Sequence, residues 1–291
     1  MVIIGIDICL KMNTLYINKM STEQTVFTRD EVTKYFSENK TELHILTPCY
    51  GSMVFLQYTS GLINTVKLLE GVGVTVVPHL LGNESLVQRA RNRLVADALQ
   101  FKTMTHVLFI DADITWNPND ILKLLLQEKD VIGVAYPFKH YFLDRVKPEF
   151  LEDLSRRNKG AYNKDIPAEK FMIHNLLKYN LNYKDDGVKV ENNLLLVKHV
   201  PTGFMMIKRH VFEQMSERFD IKYKSLEDNG NDREFHAYFD CCIRNERYLS
   251  EDWFFCDRWK EMGGKIYVVP DITLKHTGLC HYEGRLLSHI S

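Results

Sequence analysis

Short apolar runs alternate with amphipathic segments through the first half of this chain. An unbroken apolar run is typical of a strand that is covered on both faces, whereas apolar residues at three- and four-residue steps indicate a helix with one buried side. The predicted strands lie at residues 44–51, 74–77, 107–110 and 130–136, and the predicted helices at 54–70, 85–99 and from 117 onwards. This alternation predicts an α/β fold in which helices flank a mostly parallel sheet with right-handed crossovers.

The first part of the chain and the middle follow a less regular pattern. Residues 2–9 and Thr14–Ile17 predict two short strands, and Arg29–Glu38 predicts a polar helix. We therefore expect a β-hairpin and helix attachment over residues 1–42. The long, charged stretch 139–193 has the composition of an extended binding wall rather than of a regular layer.

A regular pattern returns in the last third of the chain. A strand is predicted at 194–200 and another directly after Gly203. A later helix is predicted within the stretch that starts at Tyr248, with Ser250 as its N-cap and Gly263 and Gly264 closing it. Gly203 would either let a ligand approach the backbone closely or simply make a turn, and the sequence leaves both readings open. We therefore expect a single domain over residues 43–291.

Charge and cysteine content narrow the classes of function. The chain has 37 basic and 38 acidic residues, so no overall field attracts a polyanion, and nucleic acid is disfavoured as a partner. Six cysteines without a Cys-x-x-Cys pair form no disulfide framework, which indicates a reduced, cytoplasmic protein. The start of the chain resembles no leader peptide, and no run reaches the roughly 20 apolar residues of a membrane span. Nothing in the sequence indicates an oligomeric state.

Two carboxylates follow the third predicted strand. Asp111 and Asp113 flank the small residue Ala112, and residues two apart in a strand point to the same side. Open α/β sheets bind ligands at the carboxyl ends of their strands, and paired oxygen donors there suit a divalent cation that also holds a diphosphate. The alternative is a polar strand end that caps the next helix.

Arg91 is in local conflict with its surroundings. Leu86, Ala90, Leu94 and Ala98 form the apolar stripe of a predicted helix, and Arg91 falls on the flank of that stripe. A guanidinium group withdrawn from water needs a partner. That partner is either a carboxylate of the protein or the oxygen or base edge of a ligand, and the sequence leaves this choice open.

Two further candidates come late in the chain. Glu251 and Asp252 occupy the first turn of the helix for which Ser250 is the predicted N-cap, where acidic side chains also favour the helix dipole. His276 follows a predicted strand and is either a metal ligand or a structural histidine.

Taken in order, these residues resemble a nucleotide-sugar glycosyltransferase of the GT-A fold, family-2-like, of the kind found in phages and large DNA viruses. The resemblance covers residues 43–284. Its landmarks are Thr47-Pro48-Cys49-Tyr50-Gly51, Asn83-Glu84-Ser85, Ala90-Arg91-Asn92, Asp111-Ala112-Asp113, Thr202-Gly203-Phe204-Met205, Ser250-Glu251-Asp252 and His276-Thr277-Gly278. It implies a Rossmann-like sheet, with residues 43–138 as the half that binds the nucleotide sugar and 139–291 as the half that binds the acceptor. For a viral protein it also implies the host cytoplasm.

The resemblance implies a set of roles on the donor side. Thr47, Pro48 and Tyr50 would line the nucleoside pocket, and Arg91 would contact the nucleotide. The segment Asp111-Ala112-Asp113 would hold the donor, with Asp113 on the metal directly and Asp111 acting through the ribose or the metal. His276 would complete the metal shell. Imidazole among oxygen donors favours Mn²⁺, with Mg²⁺ as the other choice.

The resemblance also implies the reaction, which is transfer of a sugar from a nucleotide-diphosphate sugar to a glycan or other hydroxyl acceptor. Asp252 would remove the acceptor proton in an inverting transfer, kept ionised by the helix N-terminus, while Glu251 orients the acceptor. A shift of one residue would make Glu251 the base, and a retaining transferase would keep the same metal site. Trp253, Tyr136, Tyr238 and Phe239 would either stack on sugars or pack in the core.

Two other functions remain as alternatives. A non-catalytic carbohydrate-binding protein on a transferase fold would lack one of the carboxylates or the histidine, and all are present. A sugar-nucleotide pyrophosphorylase would carry a basic glycine-rich loop after the first strand, and residues 47–55 contain no lysine or arginine. The acceptor stays undetermined, because residues 139–193 and 220–247 show no matching pattern.

Overall fold

The fold comes from a computed structural model, which describes residues 14–17, 25–158, 166–183, 187–226, 230–278 and 281–290. Its helices are α1 Arg29–Glu38, α2 Leu56–Glu70, α3 Val87–Leu99, α4 Pro118–Leu126, α5 Pro148–Asn158, α6 Ala168–Asn175, α7 Arg209–Arg218, α8 Glu251–Glu261 and α9 Leu287–Ile290. Its strands are β1 Thr14–Ile17, β2 Thr25–Thr28, β3 Glu42–Cys49, β4 Thr75–Gly82, β5 His106–Ile110, β6 Ile114–Thr115, β7 Val131–Gly133, β8 Asn182–Tyr183, β9 Lys189–Glu191, β10 Leu194–His199, β11 Phe204–Lys208, β12 Lys222–Leu226, β13 Asp232–His236, β14 Cys242–Arg244, β15 Arg247–Leu249, β16 Tyr267–Val268, β17 Thr273–Thr277 and β18 His281–Arg285.

The central sheet has the strand order β4-β3-β5-β11-β7-β16-β10-β8, with β9 also paired to β10. The pairs β3 with β4, β3 with β5 and β7 with β16 are parallel, whereas β11 and β10 run antiparallel to their neighbours. The predicted α/β fold with a mostly parallel, helix-flanked sheet is therefore confirmed. The four strands predicted in the first half share one direction, but β11 from the second half is inserted between β5 and β7, which the sequence order did not predict.

The core forms two apolar layers, one on each face of the sheet. Alternate residues of β5 enter opposite layers, so Val107 and Phe109 lie with α3, α7 and α8, while Leu108 and Ile110 lie with α1, α2 and α4. All four of these residues are fully buried. Because β5 is covered on both faces, its carboxyl end is a rigid platform for whatever follows it.

The N-terminal segment packs on the main sheet. The helix predicted over Arg29–Glu38 is confirmed as α1, where the Thr28 side chain accepts from the Glu31 backbone N–H in a capping box. Val32 and Phe36 of α1 are buried in the same apolar layer as Ile45 of β3. The strand predicted at Thr14–Ile17 is confirmed and pairs with β2, while the strand predicted over residues 2–9 lies outside the described residues.

Several predicted boundaries shift. The strand predicted to end at residue 77 continues to Gly82, because the whole of β4 stays in parallel register with β3. The helix predicted over 54–70 begins two residues later, at Leu56. The last major helix begins directly after Ser250, as predicted, and ends at Glu261. At α4, Asn117 is the N-cap, its side chain accepts from the Asn119 backbone N–H, and Pro118 occupies the first turn as predicted.

A small three-stranded sheet brings the end of the chain to the carboxyl end of β5. The strand order is β18-β17-β6, and His276 of β17 pairs with Ile114 of β6. The Thr277 backbone N–H also donates to the Asp113 carbonyl oxygen at 2.8 Å. His276 and Asp113, which are 163 positions apart in the sequence numbering, therefore share one edge of the fold.

No helix in the described part of the chain combines the length and apolar character needed to cross a membrane.

Candidate active site

A cavity of about 530 Å³ lies at the carboxyl ends of β3, β4 and β5. This is the edge at which open α/β sheets bind ligands. Apolar side chains from the segment after β3 form one wall, and polar side chains from α3 and the turn after β5 form the other. The lining residues are Pro48, Cys49, Tyr50, Met53, Val54, Phe55, Leu81, Glu84, Ser85, Val87, Ala90, Arg91, Asp111, Ala112 and Asp113.

The residues expected to line a nucleoside pocket lie on different sides of the wall. Pro48 and Tyr50 face the cavity, and the Tyr50 side chain is 81% exposed at its mouth. Thr47 is fully buried behind them, and its hydroxyl group forms a hydrogen bond with the Tyr58 hydroxyl group. The structure therefore gives the apolar wall two of the three residues, with Thr47 supporting it from the core.

Arg91 is the link between the two halves of the site. Its side chain is 4% exposed, its Nη2 donates to Asp111 Oδ1 at 3.1 Å, and its Nε donates to Glu251 Oε1 at 3.3 Å. In this structure the partners of the guanidinium group are therefore two carboxylates of the protein. Burial alone would lower the pKa of Arg91, but Asp111 and Glu251 outweigh burial and hold it above its ordinary value.

One guanidinium nitrogen of Arg91, Nη1, takes part in neither ion pair. Within the described residues, Nη1 is buried and has no hydrogen-bond partner, although Arg91 also lines the cavity. A buried guanidinium N–H without a partner carries a desolvation cost of about 1–3 kcal/mol. An acceptor atom that reached Nη1 would remove that cost.

Gly203 lies in a turn and close to two side chains of the site. It lies directly before β11, and its carbonyl oxygen accepts from the Asp111 backbone N–H at 3.1 Å. A Cβ at this position would lie 2.5 Å from Tyr136 Cε1 and 2.7 Å from Asp111 Oδ2. The glycine therefore leaves room for Tyr136 and for the Asp111 carboxylate, which no residue with a Cβ would do.

Asp113 is paired with two basic side chains. Lys139 Nζ lies 2.5 Å from Asp113 Oδ2, and His276 Nε2 lies 3.3 Å from the same oxygen. Burial acts to raise the pKa of Asp113, but His276 and Lys139 together outweigh it and lower the pKa below its ordinary value. Asp113 is therefore held as a carboxylate, which is the state that binds cations.

The expected trio of metal ligands is only partly assembled. Asp113 and His276 come together, whereas Asp111 turns towards Arg91. In the described ranges, no group of three or more His, Cys, Asp or Glu side chains is arranged to hold a metal ion. The trio proposed from the sequence is thus a pair in the structure, because the buried guanidinium group draws Asp111 away.

The remaining pair still fits a divalent cation in its donor chemistry. His276 Nδ1 lies 2.9 Å from the Pro137 carbonyl oxygen, and since a carbonyl only accepts, Nδ1 carries the proton and donates. With Nδ1 committed to Pro137, the ring nitrogen on the Asp113 side, Nε2, is the one left for a cation. A backbone carbonyl that fixes the other ring nitrogen is the usual support of a metal-binding histidine, and the Lys139 ammonium group stands in for a cation beside the carboxylate.

Asp252 is buried at the start of α8. The Ser250 hydroxyl group donates to Asp252 Oδ1, and the Trp253 backbone N–H donates to the same oxygen at 2.8 Å. Ser250 is thus the N-cap residue by position, but its side chain serves Asp252 and makes no cap hydrogen bond. Burial, followed by the charge of Glu251, raises the pKa of Asp252 to about 6. Our expectation that the helix N-terminus governs this carboxyl group was incomplete, because burial outweighs the dipole.

The raised pKa of Asp252 predicts a pH-dependent stability. The carboxyl group is protonated in both the folded and the unfolded chain below pH 4, and above pH 6 the folded state carries an ionised buried carboxylate. The carboxylate therefore lowers stability progressively between pH 4 and pH 6, by about 2–3 kcal/mol for a shift of about 2 pKa units. We expect the difference in free energy of unfolding between Asp252→Asn and the wild type, measured with urea, to increase by this amount in favour of Asp252→Asn between pH 4 and pH 8. An equal difference at both pH values would contradict the assignment.

The aromatic side chains near the site belong mainly to the core. Tyr238 and Phe239 are buried and pack on Phe212 and Phe109 respectively. Trp253 stacks on His199 with ring centroids 4.8 Å apart, and Tyr136 packs edge-on against His276 at 5.0 Å. Tyr238 and Phe239 therefore pack in the core, which was the alternative to sugar stacking in the sequence analysis.

Lys139 is the site residue that sequence reasoning missed. It lies in the stretch 139–193, where no periodicity or motif marks one lysine among many charged residues. The available signal was its position soon after the strand predicted at 130–136, which is β7, Val131–Gly133, in the structure and runs in the same direction as β5. The carboxyl ends of co-directional strands meet at one edge, and that rule alone could have placed Lys139 near Asp113.

Comparison with known proteins yields no family. No family model and no curated protein matches the sequence. Among solved structures, the crystal structure of A197 from STIV is similar over 82% of this chain and 86% of that chain, with 16% sequence identity and a TM-score of 0.43. Similarity at this level carries no information on the reaction.

Proposed function

We propose that the chain is a metal-dependent glycosyltransferase of the GT-A type that moves a sugar from a nucleotide-diphosphate sugar to an acceptor hydroxyl group. The observation that carries the proposal is the bridge made by Arg91. It ties the turn of Asp111 and Asp113, which lines the cavity, to the N-terminus of α8, where Asp252 is a buried carboxyl group of raised pKa. Perturbed carboxyl groups beside a cavity are typical of active sites.

The donor would occupy the cavity with its base on the apolar wall. Pro48 and the exposed Tyr50 ring offer flat apolar surface for a nucleobase. The unpartnered Nη1 of Arg91 would donate to an oxygen of the nucleotide. Asp111, which Arg91 holds in place and for which Gly203 leaves room, would accept from a ribose hydroxyl group.

The diphosphate of the donor would lie beside Asp113 and His276. These two side chains would hold Mn²⁺ or Mg²⁺, with the phosphate oxygens supplying the remaining ligands. When bound, the cation would neutralise the negative charge that develops on the leaving diphosphate. Asp113 contributes by staying ionised, and His276 contributes by keeping Nε2 on the Asp113 side, because Nδ1 is committed to the Pro137 carbonyl oxygen.

Asp252 would act as the general base. As the acceptor oxygen bonds to the anomeric carbon, the bond from that carbon to the phosphate oxygen breaks, its electron pair leaves with the diphosphate, and the acceptor proton moves to Asp252. A pKa of about 6 leaves this carboxyl group mostly ionised at neutral pH yet basic enough to accept a proton. Glu251, fixed by Arg91, would orient the acceptor. Attack opposite the leaving group inverts the anomeric carbon.

A donor screen tests the proposal. The purified protein is mixed with UDP-, GDP-, ADP-, CDP- and dTDP-sugars with and without Mn²⁺, and its melting temperature is recorded. We expect one donor to raise the melting temperature by several degrees only when Mn²⁺ is present, because ligands stabilise the folded state by mass action. Asp113→Asn should lose this effect. If every donor fails with either metal, or if Asp113→Asn responds like the wild type, the proposed donor site is wrong.

A further inference from the structure

Two nitrogen atoms converge on a single oxygen of Asp113. Lys139 Nζ lies 2.5 Å and His276 Nε2 lies 3.3 Å from Oδ2. Two ligands of one small cation are separated by about 3 Å, given metal–ligand distances near 2.1 Å. Asp113 Oδ2 and His276 Nε2 have about that spacing. The Lys139 ammonium group forms an ion pair with the same Asp113 oxygen that would bind the cation.

The backbone that carries Lys139 is held on both sides. The Phe138 N–H donates to the Lys178 carbonyl oxygen at 2.8 Å, and the Pro137 carbonyl oxygen accepts from His276 Nδ1 at 2.9 Å. The Lys139 side chain itself is 37% exposed and reaches the carboxylate on a flexible four-carbon stem. The ammonium group can therefore leave Asp113 by rotamer changes alone, without any movement of the chain that positions His276.

The charges around the cavity make such a move consequential. Asp111, Asp113, Glu251 and Asp252 supply four carboxyl groups, and the described contacts offset them with Arg91 and Lys139. A diphosphate would bring further negative charge to the same place. When a divalent cation binds Asp113, the Lys139 ammonium group loses its carboxylate partner. It then remains at that edge of the cavity as a mobile positive charge, which can pair with phosphate oxygens.

We propose that Lys139 is a functional residue of this site, whose ammonium group occupies the cation position on Asp113 until a divalent metal displaces it, and which then contacts the diphosphate of the donor. This proposal rests on the proposed function for the identity of the donor, but its first step does not need a donor. Lys139 and the metal compete for one oxygen, so removing the lysine must tighten metal binding in the donor-free protein.

The experiment measures Mn²⁺ binding to the donor-free protein by the electron paramagnetic resonance signal of free Mn²⁺. Lys139→Met is compared with the wild type and with Lys178→Met, which removes the same charge from an exposed neighbour. We expect Lys139→Met to bind Mn²⁺ about two- to fivefold more tightly, the strength of a partly exposed ion pair. Lys178→Met should stay within about twofold, since surface charges are largely screened.

A second measurement follows the lysine after displacement. With Mn²⁺ saturating, the affinity for the nucleoside diphosphate that corresponds to the stabilising donor is measured by calorimetry, with the free nucleoside as reference. We expect Lys139→Met to weaken the diphosphate about tenfold, the effect of one charge-assisted contact of about 1.4 kcal/mol, and to leave the nucleoside unchanged. Lys139→Arg should recover most of the loss.

The outcomes separate this inference from the proposed function. Unchanged or weaker Mn²⁺ binding by Lys139→Met, while the wild type binds Mn²⁺ through Asp113, overturns the role of Lys139 and leaves the glycosyltransferase proposal standing. Failure of every variant to bind Mn²⁺, with or without nucleotide, overturns both. Equal melting temperatures of the metal-free variants show that the comparison concerns binding rather than folding.

Discussion

Replacing Asp252 with asparagine is expected to lower the rate of sugar transfer by about 10³-fold, within the range contributed by a general base. The amide keeps the shape of the carboxyl group and can still accept from Ser250 and from the Trp253 N–H. It cannot take the acceptor proton. Since Asp252 is not among the residues that line the donor cavity, the melting-temperature shift caused by the donor and Mn²⁺ should stay unchanged.

The matched control for this substitution is Glu261→Gln. Glu261 lies on the same helix, pairs with Arg244 and is 43% exposed. Its conversion to an amide should change transfer less than about twofold, because exposed pairs contribute at most about 1 kcal/mol to stability and this one touches no part of the site. Transfer by the wild type should also rise with pH through about 6, as Asp252 ionises, and this limb should be absent from the residual activity of Asp252→Asn. If Asp252→Asn retains full activity and Glu251→Gln loses it, the base is Glu251.

Replacing Arg91 with methionine is expected to lower the free energy of unfolding by about 3 kcal/mol and to abolish donor binding. The substitution keeps the buried apolar volume but leaves Asp111 and Glu251 without their shared partner, and breaking one side of a buried ion pair costs about 3–5 kcal/mol. Urea unfolding at pH 8 measures the loss, and the donor-induced shift in melting temperature reports the site.

Arg89→Met provides the control on the same helix. Arg89 is two residues away and exposed, and it pairs with Glu84, so its loss should cost no more than about 1 kcal/mol. The double variant Arg91→Met with Glu251→Gln should recover part of the stability lost by Arg91→Met, because one of the orphaned charges is gone. Equal losses in Arg91→Met and Arg89→Met would show that the bridge contributes nothing and would remove the main support of the proposed site.

Local rules predicted much of the fold. The capping positions at Asn117 and Thr28 act within a few residues, so the boundaries of α4 and α1 could be read from the sequence or nearly so. The apolar run before Asp111 is buried on both faces as predicted. In contrast, β11 enters the sheet between two earlier strands, and nothing in its own residues specifies that pairing.

The site was predictable in its residues but not in their pairing. Sequence reasoning singled out Arg91 because its charge conflicted with an apolar helix face, and Asp111, Asp113, Asp252 and His276 because of their places at strand ends and a helix start and their likeness to the transferase motifs. It could not foresee that Arg91 would hold Asp111 and Glu251 together, because that contact joins positions 160 residues apart. The pKa of Asp252 was missed for the same reason, since burial depends on what packs over the helix.

The measurement that tests the central claim most directly is the fate of the sugar on the donor that stabilises the protein. The protein is incubated with that donor and Mn²⁺, with water as the acceptor, and proton NMR follows the anomeric signals from the first turnovers. The account predicts release of nucleoside diphosphate and a free sugar whose anomeric configuration is first inverted, with neither product formed by Asp252→Asn. No release of sugar from a donor that binds would contradict catalysis and leave a binding protein, and a retained configuration would contradict Asp252 as the base.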